Sequence, residues 1–424
     1  MGYQHDEAAE RSPGRLVVRT IPVPDPGDLI TTLPEPEALA WVRRGDGLVG
    51  WGTAARITLP AGQDRFVAGE KWLREVFDAA QVTDEVAVPG TGPVAFGSFT
   101  FDPASDGSVL VVPRTVLGRW HGTAWLTTIS RAGEAAAICD GAPEPPVAPT
   151  GVRWADGSLT APEWERAVAT AVAAISDGAL RKVVLALEMN ATAAADIDGR
   201  VLLARLAGRY PDCYTFACDG LLGATPELLI RRTGSKLHSL VLAGTMPRGG
   251  TQEADEALGA ALLASAKNRD EHRYAVEDVR TALRPLCADL RIDEQPSLLR
   301  LANVQHLATR VDGELASVQD ASHSALALAA ALHPTAAICG TPAETAMDLI
   351  RELEGMDRGR YSGPVGWVDA RGNGEWGIAL RCGLVSGRNA RLFAGCGIVA
   401  GSNPPAEVAE AQTKFWPMRY ALEG

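Results

Sequence analysis

What the 424-residue chain lacks narrows it first. Its seven cysteines are scattered, with no C-x-x-C pair, and Cys213 and Cys218 are the closest two. That usage fits reduced thiols better than a disulfide frame or a zinc site. There is no Lys/Arg cluster, and the net charge is −12. An acidic chain without a basic patch is a poor partner for nucleic acid or for an anionic membrane. No apolar run reaches the length of a membrane span. The first twenty residues, MGYQHDEAAERSPGRLVVRT, have no apolar h-region, and Asp6 stands where a myristoylation signal wants Ser or Thr. These absences point to a cytoplasmic protein. No repeat of fixed period is visible. What remains is an ordinary globular composition, 46% hydrophobic and 22% charged. If its substrate is also anionic, the site needs local cations or a metal.

Residues up to about 140 read as short strands and turns, among them RLVVRTIPV, FVAGEKWLREVF, PVAFGSFTF and SVLVVPRTVLGRW. The proline-rich CDGAPEPPVAPTG, 139–151, reads as a linker. Thr160 and Glu163 then form a capping-box spacing at the head of a helix. RKVVLALEM and CYTFACDG read as strands, and DGRVLLARLAGRY as a helix between them. ATPELLIRRTGSKLHSLVLAGTMPRGG reads as two strands, and 252–286 as one unusually long helix. LLRLANVQHLATRVDGEL alternates as a strand, and two helices follow. A three-strand meander runs from GPVGW to GCGIVA, and a closing helix carries EVAEAQTK. The pattern is α+β, a mixed α/β chain with antiparallel pairing.

Several charged residues stand in apolar surroundings, each with two readings. Lys182 precedes an apolar run: it either snorkels to water at a strand end or is a desolvated lysine able to act as a base. Glu227 is either a turn carboxylate or a buried, protonated general acid. Glu271 and His272 lie on a helix whose charges could simply face solvent. Two carboxylates from separate helices would instead suit Mg²⁺. Glycines inside the apolar strand FAGCGIV mark either a bulge or a close approach of ligand. Arg381 and Tyr361 could bind a carboxylate or could form a strand-end ion pair and an aromatic contact. In EVAEAQTK, Glu407, Glu410 and Lys414 fall on one helix face, as a solvated ladder or as a site.

Taken in order, KVVLA, GATPELL, LAGTMPRG, DEH, NVQHLATRVDGEL, LHPTAAICGTP, DRGRYSGPVGWVDARGNGEW, LRC, LFAGCGIV and EVAEAQTK resemble the chorismate-utilising enzymes over residues 155–424. The resemblance implies one large fold, with two packed antiparallel sheets in the core and helices outside. Residues 1–150, which carry no motif, would complete it, and 151–424 would form the catalytic region. It also implies roles. Lys182 would be the general base and Glu227 the general acid. Glu271 and Glu410 would hold Mg²⁺, with Glu407 close by. Arg381, Tyr361, Lys414, Gly395 and Gly397 would hold chorismate's carboxylates, and His306, Gly244 and Thr245 would complete the pocket.

Branches of this family differ in nucleophile. Ammonia-adding members carry Gln where Lys182 stands, because ammonia needs no base, whereas water does. Ala243 in VLAGT replaces the nucleophilic lysine of the aminodeoxychorismate branch. GPVGWVDARGNGEW is similar to the isochorismate synthase pattern. The expectation is therefore a Mg²⁺-dependent isochorismate synthase, a monomer or homodimer with no obligatory glutaminase subunit. A salicylate synthase, and more remotely an anthranilate-type synthase, are the alternatives. Relatives often have an Arg soon after KVVLA; this chain has Glu188 in ALEM, which leaves the charge around Lys182 open.

Overall fold

Segments of two to twelve residues pair into two sheets that share one core. A computed structural model describes residues 15–134, 144–301, 304–317 and 323–424. Among these, one sheet has 13 strands and the other 10. Every pairing is antiparallel except that of Leu16–Val23 with Gln81–Asp84, which is parallel. Trp41, Tyr214, Phe216 and Phe393 from the larger sheet pack with Phe96, Val365 and Trp367 from the smaller. Large aromatic side chains bury the most area per residue, so they fill the space between facing sheets. Trp41 Nε1 also donates to Glu375 Oε2 across this seam, at 2.5 Å.

The early strands belong to the same sheets as the late ones. Leu39–Arg43 pairs with Tyr214–Cys218, and Val94–Ser98 pairs with Pro364–Asp369. Eight helices are described: α1 (Arg65–Asp78), α2 (Ala161–Ser176), α3 (Gly199–Arg209), α4 (Gln252–Ala264), α5 (Ala266–Leu283), α6 (Ala325–Leu332), α7 (Ala343–Leu353) and α8 (Pro404–Glu423). α2, α7 and α8 pack on the larger sheet, and α4, α5 and α6 on the smaller.

Four expectations need correction. FVAGEKWLREVF is helix α1, because its buried Phe66, Gly69, Leu73, Val76 and Phe77 recur at helical rather than alternating spacing. The long helix of 252–286 is two, broken at Ser265, whose side chain caps α5 by accepting from Asn268 N. LLRLANVQHLATRVDGEL is two strands, Ser297–Arg300 and Val304–Leu315, paired to each other. The three-strand meander is four strands. Pro364–Asp369 and Gly374–Ile378 lie in the smaller sheet, and Cys382–Ser386 and Asn389–Ile398 in the larger. The chain changes sheets at Leu380–Arg381, with Arg381 at φ 51°. Of the 139–151 linker, 139–143 lies outside the described residues, and 144–151 runs as mostly exposed irregular chain. The capping box at α2 forms as expected, with Thr160 N donating to Glu163 Oε2 at 2.8 Å.

Candidate active site

A cleft opens where the chain crosses between the two sheets. Pro226 and Glu227 are the two residues between Leu221–Thr225 of the larger sheet and Leu228–Thr233 of the smaller. Leu380 and Arg381 make the return crossing later in the chain. All four residues line the cleft, which holds about 910 Å³ of space free of atoms, its open mouth included. Arg381 (φ 51°) and Ser362 (φ 61°) are non-glycine residues in the left-handed region, and both lie in its wall. Such conformations persist only where the surrounding structure holds them, and they gather at functional sites.

The larger sheet supplies the floor. On Lys182–Thr192, Val184 pairs with Gly397 and Ala186 with Gly395 of the neighbouring strand. Because strand side chains alternate, Lys182 shares the face of Val184. A Cβ at Gly397 would stand 2.3 Å from Glu271 Oε1 and 3.2 Å from Lys182 Cε. Glycine there is what lets these two groups meet above the strand.

Helix α5 and the smaller sheet form one wall. His272 is a satisfied core histidine: Nδ1 lies 3.2 Å from Ala243 O and Nε2 2.7 Å from Thr309 Oγ1. Burial pushes its pKa down to about 4. Since a carbonyl only accepts, Nδ1 carries the proton and Nε2 accepts from the threonine. This ring pins α5 to the sheet and directs Lys267, Asn268 and Glu271 to the cleft. Gly244, at φ 77°, forms the bulge that lets the strand pass close beneath Asn268. Thr245 Oγ1 lies 3.1 Å from Nδ1 of its cross-strand partner His306. Burial pushes His306 down to about 3, so it is neutral, and its Nε2 is buried without a partner.

Helix α8 forms the opposite wall, started by Asn403, whose side chain accepts from Ala406 N at 3.1 Å. Glu407, Glu410 and Lys414 all reach the cleft. Lys414 Nζ lies 2.6 Å from Glu410 Oε1 and donates to Gly395 O at 2.8 Å. The ladder and the site are thus the same residues, with Lys414 paired to Glu410 inside the cleft. Burial disfavours the ammonium, but the Glu410 carboxylate beside it helps to hold its pKa above the usual range. Burial likewise opposes the Glu410 carboxylate, and Lys414 outweighs it and holds Glu410 below its usual range.

Two groups carry the strongest chemistry. Glu227 is 6% exposed, and burial raises its carboxyl to about 8 against the pull of Lys182 and Arg381. At neutral pH it is a protonated acid facing the cleft. Lys182 is fully buried, with Nζ 3.1 Å from Glu271 Oε1 but outside hydrogen-bonding alignment. It stands behind Glu271 rather than in the cleft's lining. Every other site residue expected from the sequence lines the cleft: Glu227, Gly244, Thr245, Glu271, His306, Tyr361, Arg381, Gly395, Gly397, Glu407, Glu410 and Lys414. Tyr361, pushed up to about 12 by burial, stacks on Phe393 at 4.9 Å. The charge left open after KVVLA is settled locally, since Glu188 accepts from Arg391 and Ser158 N.

Sequence reasoning missed Lys267, Asn268 and Ser362. Lys267 and Asn268 lie one helical turn before Glu271, and that spacing was the available signal. It also missed the buried pair Glu354–Arg358. Arg358 donates to Ile338 O and Val184 O, and Glu354 accepts from Ala186 N, fixing the floor strand from below.

Carboxylate oxygens of Glu407 and Glu410 and Cys396 Sγ lie within 4.8 Å of one another. Burial raises the Cys396 thiol well above its usual range, and it donates to Glu407 O at 3.4 Å. The donor set for an ion is therefore two hard carboxylates without a thiolate, which fits Mg²⁺ rather than zinc. Glu407, expected as a near neighbour, belongs to this group together with Glu410, and Glu271 is outside it.

A buried proton donor, clustered carboxylates, and Lys182, Lys267, Lys414 and Arg381 around one cleft define a site for a small anionic molecule. A family model described as chorismate binding enzyme matches residues 15–423. The chain belongs to that family. It is 36% identical over 383 residues to isochorismate synthase MenF of Bacillus subtilis, covering 84% of this chain and 80% of that one. It is 41% identical over 271 residues to isochorismate synthase DhbC of the same organism, covering 61% and 67%. The solved structure of MenF, the menaquinone-specific isochorismate synthase of Escherichia coli, matches with a TM-score of 0.79 at 27% identity, covering 97% of this chain and 95% of that one. No helix among the described residues is long and apolar enough to cross a membrane.

Proposed function

We propose that this chain is an isochorismate synthase, converting chorismate to isochorismate by adding water at C2 and expelling the C4 hydroxyl. The observation that carries the proposal is Glu227, a buried carboxyl raised to about 8 in a cleft that Lys267, Arg381 and Lys414 also line. It donates its proton to the departing C4 hydroxyl. Lys182 takes the proton of the attacking water, which requires Glu271 (12% exposed side chain) to turn away from Nζ. Arg381, Lys414 and Tyr361 hold the substrate's carboxylates, and Arg381 offers the fork that matches one. His306 Nε2, buried and unpartnered, faces the substrate ring beside Thr245 and Gly244. Fixing the ring between acid and base is itself a large part of the rate.

Glu407 and Glu410, joined by Glu271, would hold Mg²⁺. When bound, the ion offsets the substrate's negative charge and fixes its orientation. Because water is the nucleophile, no glutaminase subunit is needed. The cytoplasmic enzyme acts as a monomer or homodimer, and residues before 150 serve as part of the same catalytic unit. The test is to incubate the protein with chorismate and Mg²⁺ and separate the products by chromatography. Isochorismate is expected. Salicylate with pyruvate, an aminated product that depends on ammonia, or unchanged chorismate would each refute the proposal.

A further inference from the structure

Three carboxylates face the cleft, and each is paired with its own lysine. Glu271 lies 3.1 Å from Lys182, Glu410 2.6 Å from Lys414, and Glu407 3.0 Å from Lys267. The three lysines are not equivalent. Lys182 is fully buried under Glu271. Lys414 is 8% exposed and held on a second side by the carbonyl of Gly395. Lys267 has a side chain 37% exposed, and among the described residues its ammonium is hydrogen-bonded to Glu407 alone. It sits in the first turn of α5, one turn before Glu271, and lines the cleft.

The pair is asymmetric in a way that matters. Glu407 is buried, 4% exposed, so its charge must be compensated by something. Lys267 can leave at little cost, because a half-exposed ammonium on a four-carbon stem regains water as it swings out. The cleft's charges also favour such an exchange. In the cleft's lining Lys267, Lys414 and Arg381 stand against Glu271, Glu407 and Glu410, three charges of each sign. Adding a divalent cation to carboxylates that keep all their ammonium partners leaves the balanced site with an excess of positive charge. Releasing one ammonium relieves it, and Lys267 is the one free to go.

We infer that Lys267 is a built-in counter-ion that occupies Glu407 until a divalent cation displaces it toward the mouth of the cleft, and that this competition sets the metal affinity. Lys267 is a positioning residue here, acting through Glu407 rather than on the substrate. The inference rests on the reading of Glu407 and Glu410 as metal ligands, and the experiment separates the two.

The test is direct binding of Mn²⁺, used as a spectroscopic probe for Mg²⁺, followed by paramagnetic resonance of the free ion without substrate. Wild type, Lys267→Met and Lys267→Arg are compared at the same ionic strength. Lys267→Met keeps the stem and removes the charge, and is expected to bind Mn²⁺ about tenfold more tightly, the scale of one charge-assisted hydrogen bond. Lys267→Arg keeps a cation and is expected to restore near wild-type affinity, which a merely structural effect of the substitution would not do. Equal or weaker Mn²⁺ binding by Lys267→Met overturns the counter-ion role while the metal reading stands. Failure of all three proteins to bind Mn²⁺ overturns both. A loss of chorismate affinity in Lys267→Met with Mn²⁺ affinity unchanged makes Lys267 a substrate contact and also overturns the inference.

Discussion

Replacing Glu227 by Gln tests the acid through stability as well as rate. The carboxyl's ordinary pKa of 4.5 is raised to about 8 by burial. Below pH 4.5 the group is protonated in both folded and unfolded chains and contributes no pH dependence. Between 4.5 and 8 the unfolded chain ionises while the folded one holds its proton, so stability falls as pH rises. At 1.36 kcal/mol per unit, the loss by pH 8 approaches ~5 kcal/mol, an upper figure for one group. Gln has the shape of the protonated acid and cannot ionise. The variant should therefore match wild type near pH 4.5 and gain on it steadily up to pH 8, read as a widening gap between urea midpoints. In wild type, kcat/KM should fall as pH passes about 8 and the donor loses its proton. The variant should lose turnover by roughly 10²–10⁴ at every pH. A midpoint gap that stays flat from pH 5 to pH 8 would refute the buried protonated carboxyl, and near-normal turnover by the variant would refute its role as donor.

Lys182→Ala should lose turnover by roughly 10²–10⁴ with the far-ultraviolet spectrum unchanged; near-normal product formation would remove Lys182 as the base. Gly397→Ala puts a methyl 2.3 Å from Glu271 Oε1 and 3.2 Å from Lys182 Cε. Displacing those groups by even ~1 Å should cost about a hundredfold in turnover, and an active variant would mean that the contact over the glycine strand is unimportant. Glu410→Gln should weaken Mn²⁺ binding and cripple Mg²⁺-dependent turnover, whereas a surface ladder would lose almost nothing. Dialysis against EDTA should stop the reaction and added Mg²⁺ should restore it; activity without any divalent ion would end the metal's role.

Much of this protein is decided locally and was legible in the chain. The capping box at Thr160, the apolar run after Lys182 and the Asn-Pro-Pro start of α8 depend on residues a few positions apart. The one-face spacing of Glu407, Glu410 and Lys414 is likewise a property of the helix alone. Ten short motifs in order were enough to indicate the family and, in Lys182 and Ala243, the branch. Helix α1 is hard to tell from a strand in the chain because its polar residues mask an apolar period that shows only over the full helix.

Long-range packing decided the rest. Glu227 and Arg381 lie 154 positions apart, yet both stand at the seam because the chain changes sheets twice there. No local pattern encodes a crossover. The proton on Glu227 is a consequence of burial, which depends on what folds over it, not on Pro226 beside it. The same holds for the three Glu–Lys pairs. Sequence spacing could join Glu410 to Lys414, but only the meeting of α5 with α8 across the cleft joins Lys267 to Glu407. Residue types and periods are written along the chain. Distances, burial and charge balance arise when distant segments share one low-dielectric space.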